Sequence, residues 1–436
     1  MLEAFQKHLY ETFPRITQAP VLVAVSGGVD SVVLAHLCRI SNLDFAIAHC
    51  NFHLRDQESD RDENFVRDLA RQYEVPVFVR DFDTTQYAAQ KHISIQMAAR
   101  DLRYAWFDQL VKEGNFFGVL TGHHADDNLE TFLINFIRGT GLQGLCGIPP
   151  SNGPILRPLL PFSRKQIESF ADYNELQWCE DSTNASDKYM RNRLRLDVIP
   201  VLKELNPQML QGFHKTLDYL QQSNSIVEDY TGAIFSKVAV SHKYGYSFDI
   251  PQLKSIPNTK AILYELFRTF GFTQWEDIYD LLDAQPGKMV VSHSHRLIKD
   301  RDKLLLTELR KQKDLRVEIP RQEHIVMIPI GQLKFERVEG MQPSGKNEIF
   351  VDASKLSYPL VLRGWKEGDS FQPFGMKGTK KLSKYFKDLK LSLVEKENTL
   401  VLESDGKIVW IVGHRADARF KVTKETTSIL KISYEQ

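Results

Sequence analysis

The segment 26-SGGVDS-31 places two glycines, two serines and a carboxylate directly after an apolar run, 21-VLVAV-25. Without Cβ atoms, Gly27 and Gly28 let backbone N–H groups approach a phosphate closely. The N-terminus of the helix that we predict to follow would add the positive end of a helix dipole. The segment therefore predicts a phosphate-binding loop, and its alternative interpretation is a capped strand-to-helix turn.

This loop lacks the lysine of a P-loop and carries Asp30 instead. A carboxylate repels bare polyphosphate, so Asp30 indicates Mg²⁺, which prefers oxygen ligands and commonly bridges carboxylates to phosphates. Because no lysine is committed to the terminal phosphate, the loop favours adenylate transfer with release of pyrophosphate over terminal phosphoryl transfer. We therefore predict an ATP site formed by Ser26, Gly27, Gly28, Val29, Asp30 and Ser31.

A second polar cluster, 121-TGHHADDNLET-131, also follows an apolar run. His123 and Asp127 are four residues apart and would share one face of a helix start. We predict that His123 assists proton removal or orients the nucleophile, and that Asp127 joins Asp30 around Mg²⁺. A zinc site is an alternative that no third ligand of recognisable spacing supports.

A third cluster, 48-AHCNFHLR-55, follows a further apolar run and is either a solvated loop or a contact for the adenine or ribose. In open parallel sheets, ligands bind beyond the carboxyl ends of the strands. Right-handed crossovers place these ends at one edge, so we expect the three clusters to meet. For His124 and Asp126 we expect an exposed, capped helix start.

The first third of the chain alternates continuous apolar runs with amphipathic segments, the pattern of a doubly wound parallel α/β sheet covered on both faces. Strands are predicted at residues 21–25, 45–50, 75–79 and 116–121, and helices at 31–40, 60–73, 95–111 and 127–137. Residues 139–161 are rich in Gly and Pro and predict a loop. Helical patterns follow to about residue 284, with a break near 241–257, and short alternating runs follow residue 286.

The length of 436 residues indicates two to three domains. We predict an α/β ATP-binding catalytic domain at 1–215, a mainly helical middle domain at 216–315 and a small α+β domain at 316–436. The four cysteines form no CxxC pair, which argues against a disulfide framework or an iron–sulfur cluster and favours a reduced, cytoplasmic setting. No apolar run reaches membrane length, so no membrane partner is expected.

The SGGVDS loop resembles that of the N-type ATP pyrophosphatases, the PP-loop superfamily with an adenine-nucleotide α-hydrolase-like fold. Together with further motifs, nearly the whole chain resembles the bacterial tRNA(Ile)-lysidine synthetase family. The matching motifs are SGGVDS (26–31), HCNFHLR (49–55), ARDLRY (99–104), TGHHADDNLET (121–131), RGTGLQGLCGI (138–148), RPLLPFSR (157–164), EDSTN (180–184), RNRLR (191–195), LRGWKEGDSFQPFGMKGTKKLSKYFKD (362–388) and WIVGHRADARFKV (410–422).

The resemblance implies a ligase that uses ATP and Mg²⁺ in two steps. ATP adenylates the 2-oxo group of the wobble cytidine in a tRNA(Ile) with a CAU anticodon, and free L-lysine then displaces AMP to form lysidine. It also implies a catalytic role for Arg191 at the adenylated cytidine or its phosphate, beside Asp30, His123 and Asp127. For the lysine-binding residues, charge complementarity points to Asp126 and Glu130. A homodimer is left open.

Acidic and basic residues balance at 56 each, so tRNA binding must depend on local basic patches. One patch is 188-KYMRNRLR-195, where Arg191, Asn192 and Arg195 match the family motif. The other is 377-KGTKKLSKYFKDLK-390, where we predict that Lys380 and Lys381 contact tRNA phosphates. The alternative for both patches is an exposed basic helix face.

Three other functions are alternatives. A tRNA thiolase needs paired catalytic or cluster-binding cysteines, which the scattered four do not supply. A GMP-type synthetase needs an ammonia-supplying partner domain, and no cysteine-nucleophile domain is apparent. A nucleotide-sensing tRNA-binding module without catalysis would not require Asp30, His123 and Asp127 together.

Overall fold

In the computed structural model, the described residues are 1–54, 57–179, 190–309, 315–328, 331–340, 345–374 and 378–435. The chain forms two compact units, Met1–Glu228 and Asp229–Gln436. The boundary between the two units therefore lies after residue 215, where the sequence predicted the first domain boundary. The boundary predicted at residue 315 stays a prediction.

A six-stranded sheet organises the first unit, with five parallel strands and one antiparallel edge strand. Its spatial order is β3-β2-β1-β4-β6-β5. The strands are β1 (Val21–Ala24), β2 (Phe45–Asn51), β3 (Val77–Asp81), β4 (Val119–Leu120), β5 (Ser151–Asn152) and β6 (Ile155–Leu156). The predicted doubly wound α/β sheet is confirmed, with β1 near its centre.

Helices cover both faces of this sheet because successive strand residues point to opposite sides. Val21 and Val23 of β1 pack in one apolar cluster, whereas Leu22 packs in another with Trp106 and Phe107. The helices of the first unit are α1 (Leu2–Thr12), α2 (Val29–Ile40), α3 (Gln57–Tyr73), α4 (Thr84–Lys91), α5 (Ile95–Gly114), α6 (Ala125–Ile137), α7 (Leu142–Leu145), α8 (Arg164–Tyr173), α9 (Met190–Arg193) and α10 (Ile199–Leu205), and α11 (Met209–Val238) begins in the first unit and ends in the second. A π-helical turn, Leu194–Val198, joins α9 to α10.

The segment 139–161, which the sequence predicted to be a loop, also contains regular secondary structure. It contains the short helix α7 and the strands β5 and β6, and β6 pairs in parallel with β4. Strands of two residues are too short to show a period-two pattern, which is why the sequence did not reveal them.

The second unit begins with a five-stranded antiparallel sheet of order β7-β8-β11-β10-β9. Its strands are β7 (Ala239–His242), β8 (Gly245–Asp249), β9 (Met289–Val291), β10 (His295–Asp300) and β11 (Lys303–Glu308), and its helices are α12 (Ile250–Ser255), α13 (Thr259–Phe267) and α14 (Trp275–Asp280). The prediction of a mainly helical middle domain therefore lacked this five-stranded sheet. The break near residues 241–257 is where this sheet starts.

The rest of the second unit is rich in strands, as the predicted α+β domain requires. Two four-stranded sheets have the orders β12-β16-β19-β20 and β13-β14-β21-β15, and β17 pairs with β18. The elements are β12 (Arg316–Ile319), β13 (Ile325–Ile328), β14 (Gly331–Val338), β15 (Glu348–Asp352), β16 (Leu360–Gly364), β17 (Ser370–Phe371), β18 (Lys380–Lys381), α15 (Leu382–Asp388), α16 (Leu393–Glu397), β19 (Leu400–Ser404), β20 (Lys407–Ile411) and β21 (Ile429–Glu435). Within the described ranges, no helix has the length and apolar character needed to span a membrane.

Candidate active site

The loop between β1 and α2 has the backbone geometry that the sequence predicted. Gly27 has φ +99°, a conformation that glycine adopts without the steric cost of a Cβ. The Ser31 hydroxyl donates to the Gly28 carbonyl (2.8 Å) and accepts from the Ser26 N–H (3.2 Å), which braces the loop. Asp30 lies in the first turn of α2, at the positive end of the helix dipole.

The three polar clusters meet around one cavity of about 420 Å³. Its size falls in the range of small-molecule sites. It lies beyond the carboxyl ends of β1, β2 and β4, where the parallel sheet predicts a ligand site. Residues from the clusters that line it are Ser26, Gly28, Asp30, Ser31, Ala48, His49, Cys50, Asn51, Phe52, Leu54, Thr121, Gly122, His123 and Asp127, together with Arg103, Tyr104 and Arg191 from other segments.

Gly122 lets the segment after β4 approach the start of α2 closely. A Cβ at this position would lie 3.1 Å from the Asp30 carbonyl carbon and 3.2 Å from the Ser31 nitrogen, both tighter than ordinary contacts. Close packing at residue 122 therefore sets the spacing between the phosphate-binding loop and His123.

We expect Gly122→Ala to weaken ATP binding about tenfold, because the backbone at Asp30 and Ser31 must move by a few tenths of an ångström, and a shift of about 1 Å in a preorganised site costs about a hundredfold. Equilibrium dialysis with labelled ATP measures the change. Gly212→Ala is the matched control, since a Cβ there meets no heavy atom within 4 Å. Equal ATP affinity for both variants and the unsubstituted chain would contradict the spacing role of Gly122.

The Asp30 carboxylate is only partly exposed, and its two oxygens have different surroundings. Oδ2 accepts a hydrogen bond of 2.5 Å from Arg164 Nη1. Oδ1 is buried and has no hydrogen-bond partner among the described residues. Burial raises the pKa of Asp30, and the nearby His124 and Arg164 oppose this rise. Oδ1 is therefore a desolvated acceptor with no hydrogen bond from the described residues.

His124, rather than His123, lies between the two acids of the site. Its Nε2 is 3.7 Å from Asp30 Oδ1 and 3.5 Å from Asp127 Oδ2. It also caps α6, because its Nδ1 accepts from the Asp127 N–H (3.4 Å) while Asp127 Oδ2 accepts from the His124 N–H (3.1 Å). His124 is only 3% exposed, so the expectation of an exposed side chain was wrong.

Asp126 was also expected to be exposed, and it is buried instead. It forms an ion pair with Lys203 and accepts a hydrogen bond from the Arg164 N–H (2.7 Å). Burial alone would raise the pKa of Asp126, but these two donors outweigh it and the pKa is lowered. Both residues turn inward because α6 begins at the sheet edge beside the cavity, which a capping pattern alone does not reveal.

His123 lines the cavity, and its Nδ1 is 3.0 Å from the Thr121 hydroxyl. It precedes α6, so the helical spacing predicted between His123 and Asp127 does not apply, although both line the same cavity. Burial lowers the pKa of His123 to about 4. The imidazole is therefore neutral near pH 7, and such a low pKa makes it a weak proton acceptor.

Glu130 is 1% exposed and is held by two arginines. Arg195 donates to both carboxylate oxygens, with Nε 2.6 Å from Oε1 and Nη2 3.1 Å from Oε2. Arg191 Nε lies 3.1 Å from Oε2, and its Nη2 donates to Thr131 Oγ1 (2.9 Å). Burial raises the pKa of Glu130, and the contacts with Arg195 oppose this rise.

The predicted tRNA-contacting residues fall into two groups. Arg191 and Asn192 lie on α9, and Arg195 lies in the π-helical turn, so the structure brings these arginines to the active site rather than to a distant surface. Lys380 and Lys381 form β18 in the second unit. Arg55, Lys188, Tyr189, Lys377 and the EDSTN motif lie outside the described residues.

Sequence reasoning missed Arg164, whose pairing with Asp30 spans 134 positions of the chain. The signal available was the position of Arg164 at the end of the RPLLPFSR motif. Sequence reasoning also missed Lys203, which lies on α10 and pairs with Asp126. Neither pair has a local pattern that could reveal it.

The parallel sheet, the glycine loop at the end of β1 and the cavity define a PP-loop ATP-binding α/β domain. A family model described as the PP-loop domain matches residues 1–202. Models described as the TilS substrate binding domain and the TilS substrate C-terminal domain match residues 241–309 and 360–433.

Curated relatives match almost the full chain. A tRNA(Ile)-lysidine synthase of Parabacteroides distasonis is 43% identical over 422 residues, which cover 95% of each chain. Those of Bacteroides thetaiotaomicron and Porphyromonas gingivalis are 40% and 36% identical, and each match covers at least 94% of both chains. The chain belongs to the tRNA(Ile)-lysidine synthase family.

Proposed function

We propose that this chain ligates free L-lysine onto the wobble cytidine of a tRNA(Ile) with a CAU anticodon, using ATP. In the first step, the cytidine 2-oxo oxygen attacks the α-phosphorus and pyrophosphate leaves. In the second step, the lysine amine attacks the base carbon that bears the adenylated oxygen. AMP leaves with that oxygen, and the amine loses a proton. The adenylated oxygen is a far better leaving group than the original amide-like carbonyl oxygen.

The observation that carries this proposal is the single cavity shared by the SGGVDS and TGHHADDNLET motifs, in a chain that matches the lysidine synthase family over nearly its whole length. Backbone N–H groups near Gly28 suit the phosphates, and Asp127, His123 and Arg191 line the same cavity. ATP and the acceptor base can therefore meet in one place.

Mg²⁺ is part of the proposal, with Asp30 and Asp127 as its ligands. The buried, unpartnered Asp30 Oδ1 fits a cation, and Asp127 lines the same cavity. No group of three or more potential ligand side chains is present among the described residues. Mg²⁺ does not need one, because it is usually held by one or two carboxylates plus substrate phosphates. When bound, it supplies positive charge against the phosphates as pyrophosphate leaves.

For His123 we propose the orienting role rather than the role of a base. A lysine ammonium has a pKa near 10.4, and an imidazole with a pKa of about 4 gains little by accepting its proton. The Thr121 hydroxyl lies 3.0 Å from Nδ1 and fixes the ring at the cavity wall. Removal of the amine proton is then assigned to water or to a carboxylate.

The lowered pKa of His123 has a consequence for stability. In the unfolded chain the histidine titrates near 6.5, so between about pH 4 and 6.5 the unfolded state binds more protons than the folded state. Stability from this group is therefore lost as the pH falls from 6.5 towards 4. We expect His123→Gln to show a shallower dependence of its urea midpoint on pH in this window. The control is His92→Asn at an exposed histidine, and equal slopes for all three proteins would contradict the lowered pKa.

We also propose that Lys381 contacts tRNA phosphates. Lys380 is already paired, with Nζ 2.6 Å from Asp388 Oδ2 and 5.7 Å from the Tyr385 ring centre, so charge reversal there would disturb α15 as well. Lys381 is exposed and gives the cleaner test.

Lys381→Glu is expected to weaken tRNA binding about tenfold and to reduce the slope of log K against log salt by about one, while ATP affinity persists. Filter binding at several salt concentrations measures both quantities. Lys7→Glu on α1 is the control, because it reverses an exposed charge in the first unit. A salt slope equal to that of the unsubstituted chain would exclude the Lys381 contact.

Isotope exchange between pyrophosphate and ATP tests the proposed function. The reaction predicts exchange that requires the tRNA with a CAU anticodon and proceeds without lysine. Elongator methionine tRNA serves as the control substrate. Exchange driven by lysine alone would indicate amino-acid activation and would overturn the proposal.

The proposal also includes a cytoplasmic location, three domains and a possible homodimer. The scattered cysteines favour a cytoplasmic location, and the three-domain division with a boundary near residue 315 agrees with the separate family matches on either side of it. A homodimer remains a prediction, which the molar mass measured by light scattering tests.

A further inference from the structure

Arg164 occupies one oxygen of the carboxylate that the proposed function assigns to the cation. Its Nη1 is 2.5 Å from Asp30 Oδ2, whereas Asp30 Oδ1 is buried without a hydrogen-bond partner in the described part of the chain. The distance of 3.7 Å between His124 Nε2 and Asp30 Oδ1 is too long for a hydrogen bond. Only one of the two carboxylate oxygens of Asp30 therefore accepts a hydrogen bond from the described residues, and its donor is the positively charged Arg164.

The backbone of Arg164 is fixed while its side chain has two acids within reach. Arg164 is the first residue of α8, and its N–H donates to Asp126 Oδ2 (2.7 Å). Asp126 is in turn paired with Lys203. The guanidinium contacts Asp30 through Nη1 and Glu168 Oε1 through Nε (2.7 Å). Glu168 is one helical turn further along α8, so both acids lie within the range of one side chain.

The two contacts of this guanidinium have different surroundings. The side chains of Arg164 and Glu168 are 38% and 48% exposed, whereas that of Asp30 is 24% exposed at the cavity wall. A cation bound at Asp30 would repel the guanidinium, and movement towards Glu168 retains a contact that already exists. The long arginine side chain reaches solvent at this border, so no buried group has to move with it.

We propose that Arg164 is a positioning residue that neutralises Asp30 in the nucleotide-free cavity and yields it to the cation only when ATP is bound, with Glu168 as its second acceptor. The inference rests on the proposed function, because it presumes a divalent cation at Asp30. The pairing keeps a carboxylate with a desolvated, unpartnered oxygen from recruiting a metal ion before the nucleotide. The phosphates of ATP supply additional ligands, and with them the metal ion binds the Asp30 carboxylate more strongly than Arg164 does.

Mn²⁺ is the probe for the test, because the EPR signal of the free ion reports binding without turnover once the Mn²⁺ held by the nucleotide alone has been subtracted. Mn²⁺ is titrated into the full chain with and without α,β-methylene-ATP, which is not cleaved between its α and β phosphates. The unsubstituted chain should bind Mn²⁺ tightly only with the nucleotide. Arg164→Gln should bind Mn²⁺ without nucleotide at least tenfold more tightly than the unsubstituted chain.

Three further variants make the result specific. Arg164→Lys keeps the counter-charge and should retain the weak nucleotide-free binding of the unsubstituted chain. Glu168→Gln removes the negative charge of the second acceptor and should raise the Mn²⁺ concentration needed with nucleotide about fivefold. Lys165→Gln removes an exposed positive charge from the next position of α8 and should behave like the unsubstituted chain.

Two results would overturn the inference. One is nucleotide-free Mn²⁺ affinity of Arg164→Gln equal to that of the unsubstituted chain, with both chains folded by circular dichroism. The other is a gain of affinity in Lys165→Gln as large as that in Arg164→Gln, which would indicate a general charge effect. Absence of nucleotide-dependent Mn²⁺ binding in the unsubstituted chain would instead refute the proposed metal role itself, and the inference with it.

Discussion

Asp30→Asn is expected to lower the rate of tRNA-dependent exchange between pyrophosphate and ATP by about 10³-fold, the scale of losing one preorganised charge contact to a transition state. The amide keeps the shape of the side chain but removes the negative charge that faces both the cavity and Arg164. The loss should appear in kcat more than in the KM for ATP, because backbone N–H groups of the loop still bind the phosphates.

The matched control for this experiment is Asp197→Asn. Asp197 lies in the π-helical turn near the site, its side chain is exposed, and it contacts Arg193 at only 4.0 Å. It should keep nearly full activity. If Asp30→Asn retained exchange within about fivefold of the unsubstituted chain, the role of Asp30 in the adenylation step would be wrong.

Arg195→Ala is expected to destabilise the first unit by about 3 kcal/mol, because it leaves the buried Glu130 with only one of its two cations. Urea unfolding measures this free energy. The combination with Glu130→Gln should cost less than the sum of the two single variants, since the charge that was left unpaired is then absent.

Arg193→Ala tests whether the effect depends on Glu130 rather than on any arginine of this helical segment. Arg193 is 73% exposed and contacts only Asp197 among the ion pairs of the described residues. Its removal should change stability by less than about 0.5 kcal/mol. A double-variant cycle without coupling between Arg195 and Glu130 would contradict the ion pair as a stabilising contact.

The sheet of the first unit was predictable because its strands and helices have strong local patterns. Val21–Ala24 is a continuous apolar run, and α2 and α6 begin within two residues of their predicted positions. The small strands β5 and β6 were not predictable, because each has only two residues and β6 pairs with β4, which lies far away in sequence. The hairpin of β7 and β8 was likewise read only as a break between helices.

The active site was predictable at the level of loops and less so at the level of individual side chains. Glycines, serines and the acid of the 26–31 loop mark a ligand site by their types alone. The sequence prediction placed His123 and Asp127 on one helical face, but α6 begins at Ala125, so His124 caps the helix and lies between Asp30 and Asp127. The partnership of Arg164 with Asp30 depends on the tertiary fold, so no local pattern encodes it.

The acids of α6 are matched by cations from one following helical segment. Arg191, Arg195 and Lys203 contact Glu130, Asp127 and Asp126. Well-packed apolar residues often replace buried ion pairs at no thermodynamic cost or with a gain. A thermostabilising redesign would therefore favour apolar side chains in place of these ion pairs, and it would remove Asp127 and Arg191, for which we propose roles in the reaction. At the contact between α6 and the following helical segment, changes that raise thermal stability are therefore expected to lower turnover.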